Sequence, residues 1–305
     1  MIVFATSDKG GTGRSVTSCN VAYRRALQGS DVCYLDFDFG SPTAGAIFNI
    51  DGLARGWAGG GGLHDYLSGA TGSPQTVDVW RRSDREGLRG RPPGAGRLML
   101  LPGDQAGGEF PIDGAMTDRC AELFLRLEEE FDVVLVDLSA GRSYAAELVL
   151  TATSPAVAAF TSRWLIFHRW TRQHIIAAAG LAFADRGILM VGLERGHSPD
   201  FLEDSIRFVR TAVLSTDSPR LGGLRGTQAA WLRDCDRDLR DLAAKHRLGR
   251  TVLLAEIPLD PVLQWREQII TDADIHTSQI ADAATGEAFA RLAKRLTEDS
   301  RWEGL

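Results

Sequence analysis

Ser7-Asp8-Lys9-Gly10-Gly11-Thr12-Gly13-Arg14-Ser15-Val16 is the stretch on which the fold turns. An apolar run, residues 2–6, leads into it, and residues 16–27 lead out at helical spacing. Strand, glycine-rich turn and helix in that order bring backbone N–H groups and the positive end of a helix dipole onto one point. Such a point holds phosphate. Gly10, Gly11 and Gly13 permit the left-handed backbone and close approach that this requires. Ser15 supplies a hydroxyl where a phosphate-binding loop holds Mg²⁺. The bland alternative is a glycine-rich turn that binds nothing.

The ordinary pattern, G-x-x-x-x-G-K-[ST], is not met: Asp8 stands at its first glycine and Arg14 at its lysine. Residues 9–15 instead resemble the deviant P-loop of the ParA/MinD family, K-G-G-x-G-K-[ST], at every position except Arg14. In that family the early lysine reaches across an ATP-sandwiched dimer to the partner's phosphates, a role that falls on Lys9. Composition gives an independent hint. Of 34 basic residues only Lys9, Lys245 and Lys294 are lysine. A chain that uses arginine nearly everywhere keeps a compact ammonium at position 9, where a planar fork is no substitute at a tight phosphate site. The arginine at position 14 and the Arg/Ala/Gly-rich composition also resemble an actinobacterial group of variant-P-loop homologues.

The next two motifs follow in order. Residues 32–36 read as a second strand ending in Asp36-Phe37-Asp38, and carboxylates at the carboxyl end of a parallel strand face the ligand crevice. The resemblance implies that Asp38 orients the attacking water and Asp36 supports the metal. Turn-forming carboxylates are the alternative. Residues 131–137, Phe-Asp-Val-Val-Leu-Val-Asp, fit a strand buried on both faces. The strand ends on Asp137, the Walker B position on the Mg²⁺ shell. Leu138-Ser139-Ala140-Gly141 resembles the family's D-S-P-A-G without its proline, which makes Gly141 the switch glycine whose N–H meets the γ-phosphate.

Later residues carry weaker signals. Residues 156–160 and 187–193 read as strands; residues 163–174, 200–214, 228–247, 262–269 and 287–296 read as helices. Glu194-Arg195 falls where family members place a base-contacting residue, here Arg195. Residues 251–257 read as the last strand and run into Pro258-Leu259-Asp260, similar to the family's I-P-x-D turn beside adenine, which assigns Pro258 and Asp260 to the base. No [NT]-K-x-D motif follows residues 187–193, so the expected nucleotide is ATP rather than GTP.

The expected fold is α/β: one domain over 1–305, doubly wound, with a mostly parallel sheet and helices on both faces. It carries a Gly/Arg-rich loop insertion at 40–96 and a helical segment at 198–249. Within the insertion, residues 63–67 and 77–82 look like short helices; after it, residues 97–101 read as a strand and residues 118–129 have the helical period. The net charge of −6 disfavours a wholly basic nucleic-acid-binding domain. Arg81, Arg82, Arg85, Arg89 and Arg91 form the most basic stretch, a candidate for sequence-nonspecific DNA contact or a solvated loop. Four scattered cysteines without C-x-x-C fit a reducing compartment and argue against zinc or a disulfide scaffold. No signal peptide and no apolar run near ~18 residues is expected, so the predicted location is cytoplasmic.

The resemblance implies a protein that binds ATP with Mg²⁺ through Gly10, Gly11, Thr12, Gly13, Arg14, Ser15 and Val16. It would dimerise on ATP and position a cargo through a partner protein. Ser15, Asp36 and Asp137 would hold the metal, and Lys9 and Asp38 would serve hydrolysis. Two alternatives stand beside it. One is a degenerate scaffold, because guanidinium is a poor geometric substitute for the lysine at the β- and γ-phosphates. The other is a synthetase on the same fold, disfavoured by the lack of a Cys–His amidase segment.

Overall fold

The structure is a computed structural model that describes residues 1–105, 107–157, 160–214 and 223–303. Among the described residues eight strands form one sheet: β1 (Ile2–Thr6), β2 (Val32–Phe37), β3 (Val77–Asp78), β4 (Leu98–Leu101), β5 (Val133–Leu138), β6 (Ser162–Arg169), β7 (Ile206–Val213) and β8 (Leu253–Pro258). Their spatial order is β3-β4-β2-β5-β1-β6-β7-β8. Every neighbouring pair is parallel except β3 with β4.

Burial on both faces explains the apolar runs. In β1, Ile2 and Phe4 enter one core while Val3 and Ala5 enter the other. Against the first core lie α5 (Gly114–Glu130), α6 (Tyr144–Ala152), α7 (Arg172–Phe183) and α8 (Ile188–Glu194). Against the second lie α1 (Arg14–Leu27) and, from the far end of the chain, α13 (Ala283–Arg295). The ring of Phe4 lies 4.7 Å from that of Trp164, and each fully buried side chain of this size contributes about 1.5–3 kcal/mol. Central β1 has β5, β2, β4 and β3 on one side and β6, β7 and β8 on the other. Its carboxyl end therefore opens where an α/β sheet forms its ligand crevice.

The doubly wound sheet matches the expectation, but its second half is laid out differently. Residues 163–174 are not a helix: β6 occupies most of them, and α7 begins only at Arg172. Trp164 to Phe167 lie between β1 and β7 with both faces covered, so no period of two betrays the strand. Residues 187–193 are not a strand but α8. Residues 200–214 divide into α9 (Pro199–Asp204) and β7. Of the strand expected at 156–160, residues 158 and 159 lie outside the described residues and the rest is not strand. The helix expected at 262–269 is only α11 (Pro261–Trp265), whereas α10 (Gly226–Lys245) and α13 fall where expected.

Two surface expectations change as well. Residues Arg172–Glu194 have the length of a membrane-crossing helix and contain an 18-residue window of mean hydropathy 1.7, a run the sequence reading did not count. The stretch is the two helices α7 and α8, interrupted between Phe183 and Ile188, and α7 packs on the first core. In the basic stretch, Arg85 pairs with Asp274, Arg89 with Asp84 and Arg81 with Asp78. Of the five arginines in this stretch, Arg82 and Arg91 are exposed and make no ion pair with the described residues.

Candidate functional site

The loop between β1 and α1 is an open cradle. Gly11 and Gly13 take φ of +71° and +74°, and no atom lies within 4 Å of where a Cβ would stand on Gly10, Gly11 or Gly13. Gly13 is the N-cap of the 14-residue α1, and no side chain caps it. The first N–H groups of the helix therefore lack an intrahelical partner and suit an anion. The cradle bounds a cavity of about 180 Å³ that Gly10 to Val16 share with Ser7, Asp38 and Ala140.

Arg14 lies beneath this cradle, 6% exposed. Its Nε donates to Asp137 Oδ1 at 2.5 Å and its Nη2 to Asp38 Oδ2 at 2.7 Å. Nη2 also lies 3.3 Å from Ser15 Oγ. Burial works against the guanidinium charge, but Asp137 and Asp38 outweigh it and hold the group above its ordinary range. Asp38 is itself raised by burial, an effect that its partner Arg14 only partly offsets. Tyr34 donates its hydroxyl to the other oxygen of Asp137 at 2.9 Å.

Asp36 lies opposite Asp137 in the β2–β5 register and is 2% exposed. Its Oδ2 accepts from the Ala44 N–H, and its Oδ1 has no partner among the described residues. Burial, then the neighbouring Asp137, pushes its pKa up to about 8. An unfolded aspartate titrates near 4, so the folded chain carries the extra proton between about pH 4 and 8. Stability is fully present below that window and falls as pH rises through it, by about 1.4 kcal/mol per unit at most. Asp36→Asn keeps an acceptor for Ala44 and removes the titration. The variant's Tm advantage over wild type is expected to grow from near zero at pH 4 to several degrees at pH 8, with Arg14, Asp38 and Asp137 common to both proteins. Parallel Tm–pH curves would contradict this.

The sheet brings Lys9 to Val16, Asp36, Asp38, Asp137 and Gly141 together. Lys9 is exposed and makes no ion pair among the described residues. Gly141 sits beside the loop, but the N–H that the resemblance gives to a γ-phosphate donates to the Ser7 carbonyl at 2.7 Å. Pro258 and Asp260 border a second cavity of about 220 Å³ that shares Gly11, Thr12, Gly13 and Val16 with the first. The Asp260 carboxylate is occupied internally. Oδ1 accepts from Val262 N–H, and Oδ2 accepts from Asp282 N–H and the Thr285 hydroxyl.

Arg195 is not brought to the site. It ends α8, pairs with Glu147 and borders a separate cavity of about 350 Å³ that no residue of the cradle lines. The cause is the misread strand: the strand end beside the cradle belongs to β7. There Thr211 donates its hydroxyl to the Thr12 carbonyl at 2.5 Å, and Ala212, at φ +51°, borders the second cavity with Arg169. Sequence reading missed Arg169, Thr211 and Ala212. The usable signal was the apolar run Trp164 to Phe167, too short for a helix with no polar face.

The phosphates of a nucleotide fit the uncapped glycine cradle. A magnesium ion does not fit the residues as they stand, because Asp137 Oδ1 and Ser15 Oγ are already engaged by Arg14. Among the described residues no group of three His, Cys, Asp or Glu side chains is arranged as a metal cage.

No family model matches the sequence, and no curated protein does. Solved structures do. MinD from Pyrococcus horikoshii complexed with Mg-ADP matches at TM-score 0.56 and 16% identity, over 98% of this chain and 96% of its own. The MinC:MinD complex of Aquifex aeolicus matches at 0.60 and 16%, over 97% and 94%. A ParA family ATPase from Chlorobium tepidum matches at 0.54 and 15%, over 97% and 98%. The fold is that of the MinD and ParA ATPases. In this MinD/ParA-like fold the cradle closes the carboxyl end of central β1, and the ends of β6, β7 and β8 border the second cavity.

Proposed function

We propose that the chain is a ParA/MinD-type ATP-binding protein that dimerises on ATP, hydrolyses it slowly and positions a cargo in the cytoplasm through a partner protein. One observation carries this reading: an uncapped glycine cradle with Arg14 locked to the two carboxylates that hydrolysis needs. The cradle supports binding. The lock argues against turnover, because Asp38 held by a guanidinium is a poor partner for an attacking water. Only contacts that strengthen in the transition state accelerate the reaction, so binding suffers less than turnover. The Mg-ADP bound to MinD and the pairing of MinD with MinC support the nucleotide and the partner protein. Any DNA contact would be sequence-nonspecific and salt-dependent, through Arg82 and Arg91.

The test is ATP-dependent dimerisation followed by sedimentation. Lys9 is exposed and unpaired, free to reach a second subunit. Lys9→Ala is expected to weaken the ATP-dependent dimer at least tenfold, about 1.4 kcal/mol. ATP affinity of the monomer should stay within about threefold, under 0.7 kcal/mol. Dimerisation that ignores ATP, or survives Lys9→Ala unchanged, would remove the switch. The scaffold reading is favoured by the same Arg14 lock, which neutralises the site with the chain's own groups. Absence of nucleotide binding under all conditions would establish it.

A further inference from the structure

The Arg14 guanidinium lies among three oxygens: Asp137 Oδ1, Asp38 Oδ2 and Ser15 Oγ. Ser15 and Asp137 are the groups the P-loop pattern sets around a divalent cation. A guanidinium has five donors and no acceptor. It can therefore occupy such a place but cannot ligate a metal there. Mg²⁺ takes near-octahedral oxygen ligands at about 2.0–2.1 Å and sheds water reluctantly. It would have to take oxygens from Arg14 while enduring repulsion from a cation that is 6% exposed. The remaining donor nitrogen, Nη1, has no partner among the described residues, and Arg14 borders the cradle cavity.

We infer that Arg14 is a tethered cation standing in for the divalent metal, so that the cradle takes a nucleoside polyphosphate free of Mg²⁺. The inference rests on the nucleotide reading above and deepens it. Two of its nitrogens neutralise Asp137 and Asp38, and the third is left for a phosphate oxygen. Phosphate then meets the loop N–H groups and Arg14, with no metal bridge. A lysine at position 14 has one nitrogen and cannot hold both carboxylates in this planar geometry. It would return Ser15 and Asp137 to a metal.

The experiment is equilibrium binding of the fluorescent nucleotide mant-ATP to the full chain, in MgCl₂ and in excess EDTA, for wild type and Arg14→Lys. Wild-type affinity is expected to agree within about threefold between the two buffers, under 0.7 kcal/mol. Arg14→Lys is expected to bind at least tenfold more tightly with Mg²⁺ than with EDTA, about 1.4 kcal/mol. A tenfold loss in EDTA for wild type would overturn the inference and leave the nucleotide reading intact. A lysine variant equally indifferent to Mg²⁺ would remove Arg14 as the cause. Absence of binding in both buffers would overturn the inference and the nucleotide reading together. Circular dichroism establishes that the variant is folded, and the wild-type comparison stands without it.

Discussion

Arg14→Ala is expected to cost about 3–5 kcal/mol of folding stability, the range for removing one partner of a buried ion pair. Asp137 is 1% exposed and would be left with the Tyr34 hydroxyl alone, directly opposite Asp36 in the β2–β5 register. Asp38 loses its partner too, but it is partly exposed and water compensates. The loss should therefore come mostly from Asp137. Asp137→Asn in the Arg14→Ala background is expected to recover about half of it, since a neutral amide costs far less to bury than an unpaired charge. Urea unfolding at neutral pH measures both. A loss below about 1 kcal/mol, the level of an exposed ion pair, would show that the buried pair is not formed in solution.

Asp260→Ala is expected to cost about 2–4 kcal/mol, although the family resemblance implies a role for this residue beside the base. Asp260 is 1% exposed, and its two oxygens accept three hydrogen bonds. They join the end of β8 to the start of α11, and both to the residues that begin α13. Each hydrogen bond to a charged group contributes about 1.5–3 kcal/mol, and deleting the acceptor takes it from the buried Thr285 hydroxyl and from the half-buried N–H groups of Val262 and Asp282. Because α13 covers the second core beside α1, the loss is global rather than confined to the site. Asp260→Asn, which keeps one acceptor oxygen, should lose roughly half as much. Equal thermal stability of wild type and Asp260→Ala would show that this junction does not hold the fold.

What the sequence made legible was local. The strand–loop–helix of residues 2–27, the carboxylates ending β2 and the apolar run of β5 are contiguous, and each carries its own period or punctuation. β6 and β7 were illegible because their charged residues are buried. Arg163 and Arg210 lie in strands yet are 7% and 3% exposed, and charged residues among apolar ones read as the polar face of a helix. That error carried Arg195 into the site and left Thr211 and Ala212 out. The pairing of Arg14 with Asp137 spans 123 positions, and no local pattern encodes it. Asp260 likewise fits the I-P-x-D turn, but its partners Asp282 and Thr285 lie 22 and 25 residues on.

Single-turnover hydrolysis of ATP by wild type and Arg14→Lys tests the central claim most directly, namely that Arg14 withholds Asp38 and Asp137 from catalysis. With saturating nucleotide and Mg²⁺, Arg14→Lys is expected to hydrolyse ATP at least tenfold faster than wild type, a barrier about 1.4 kcal/mol lower. Wild type hydrolysing ATP as fast as the lysine variant would contradict it.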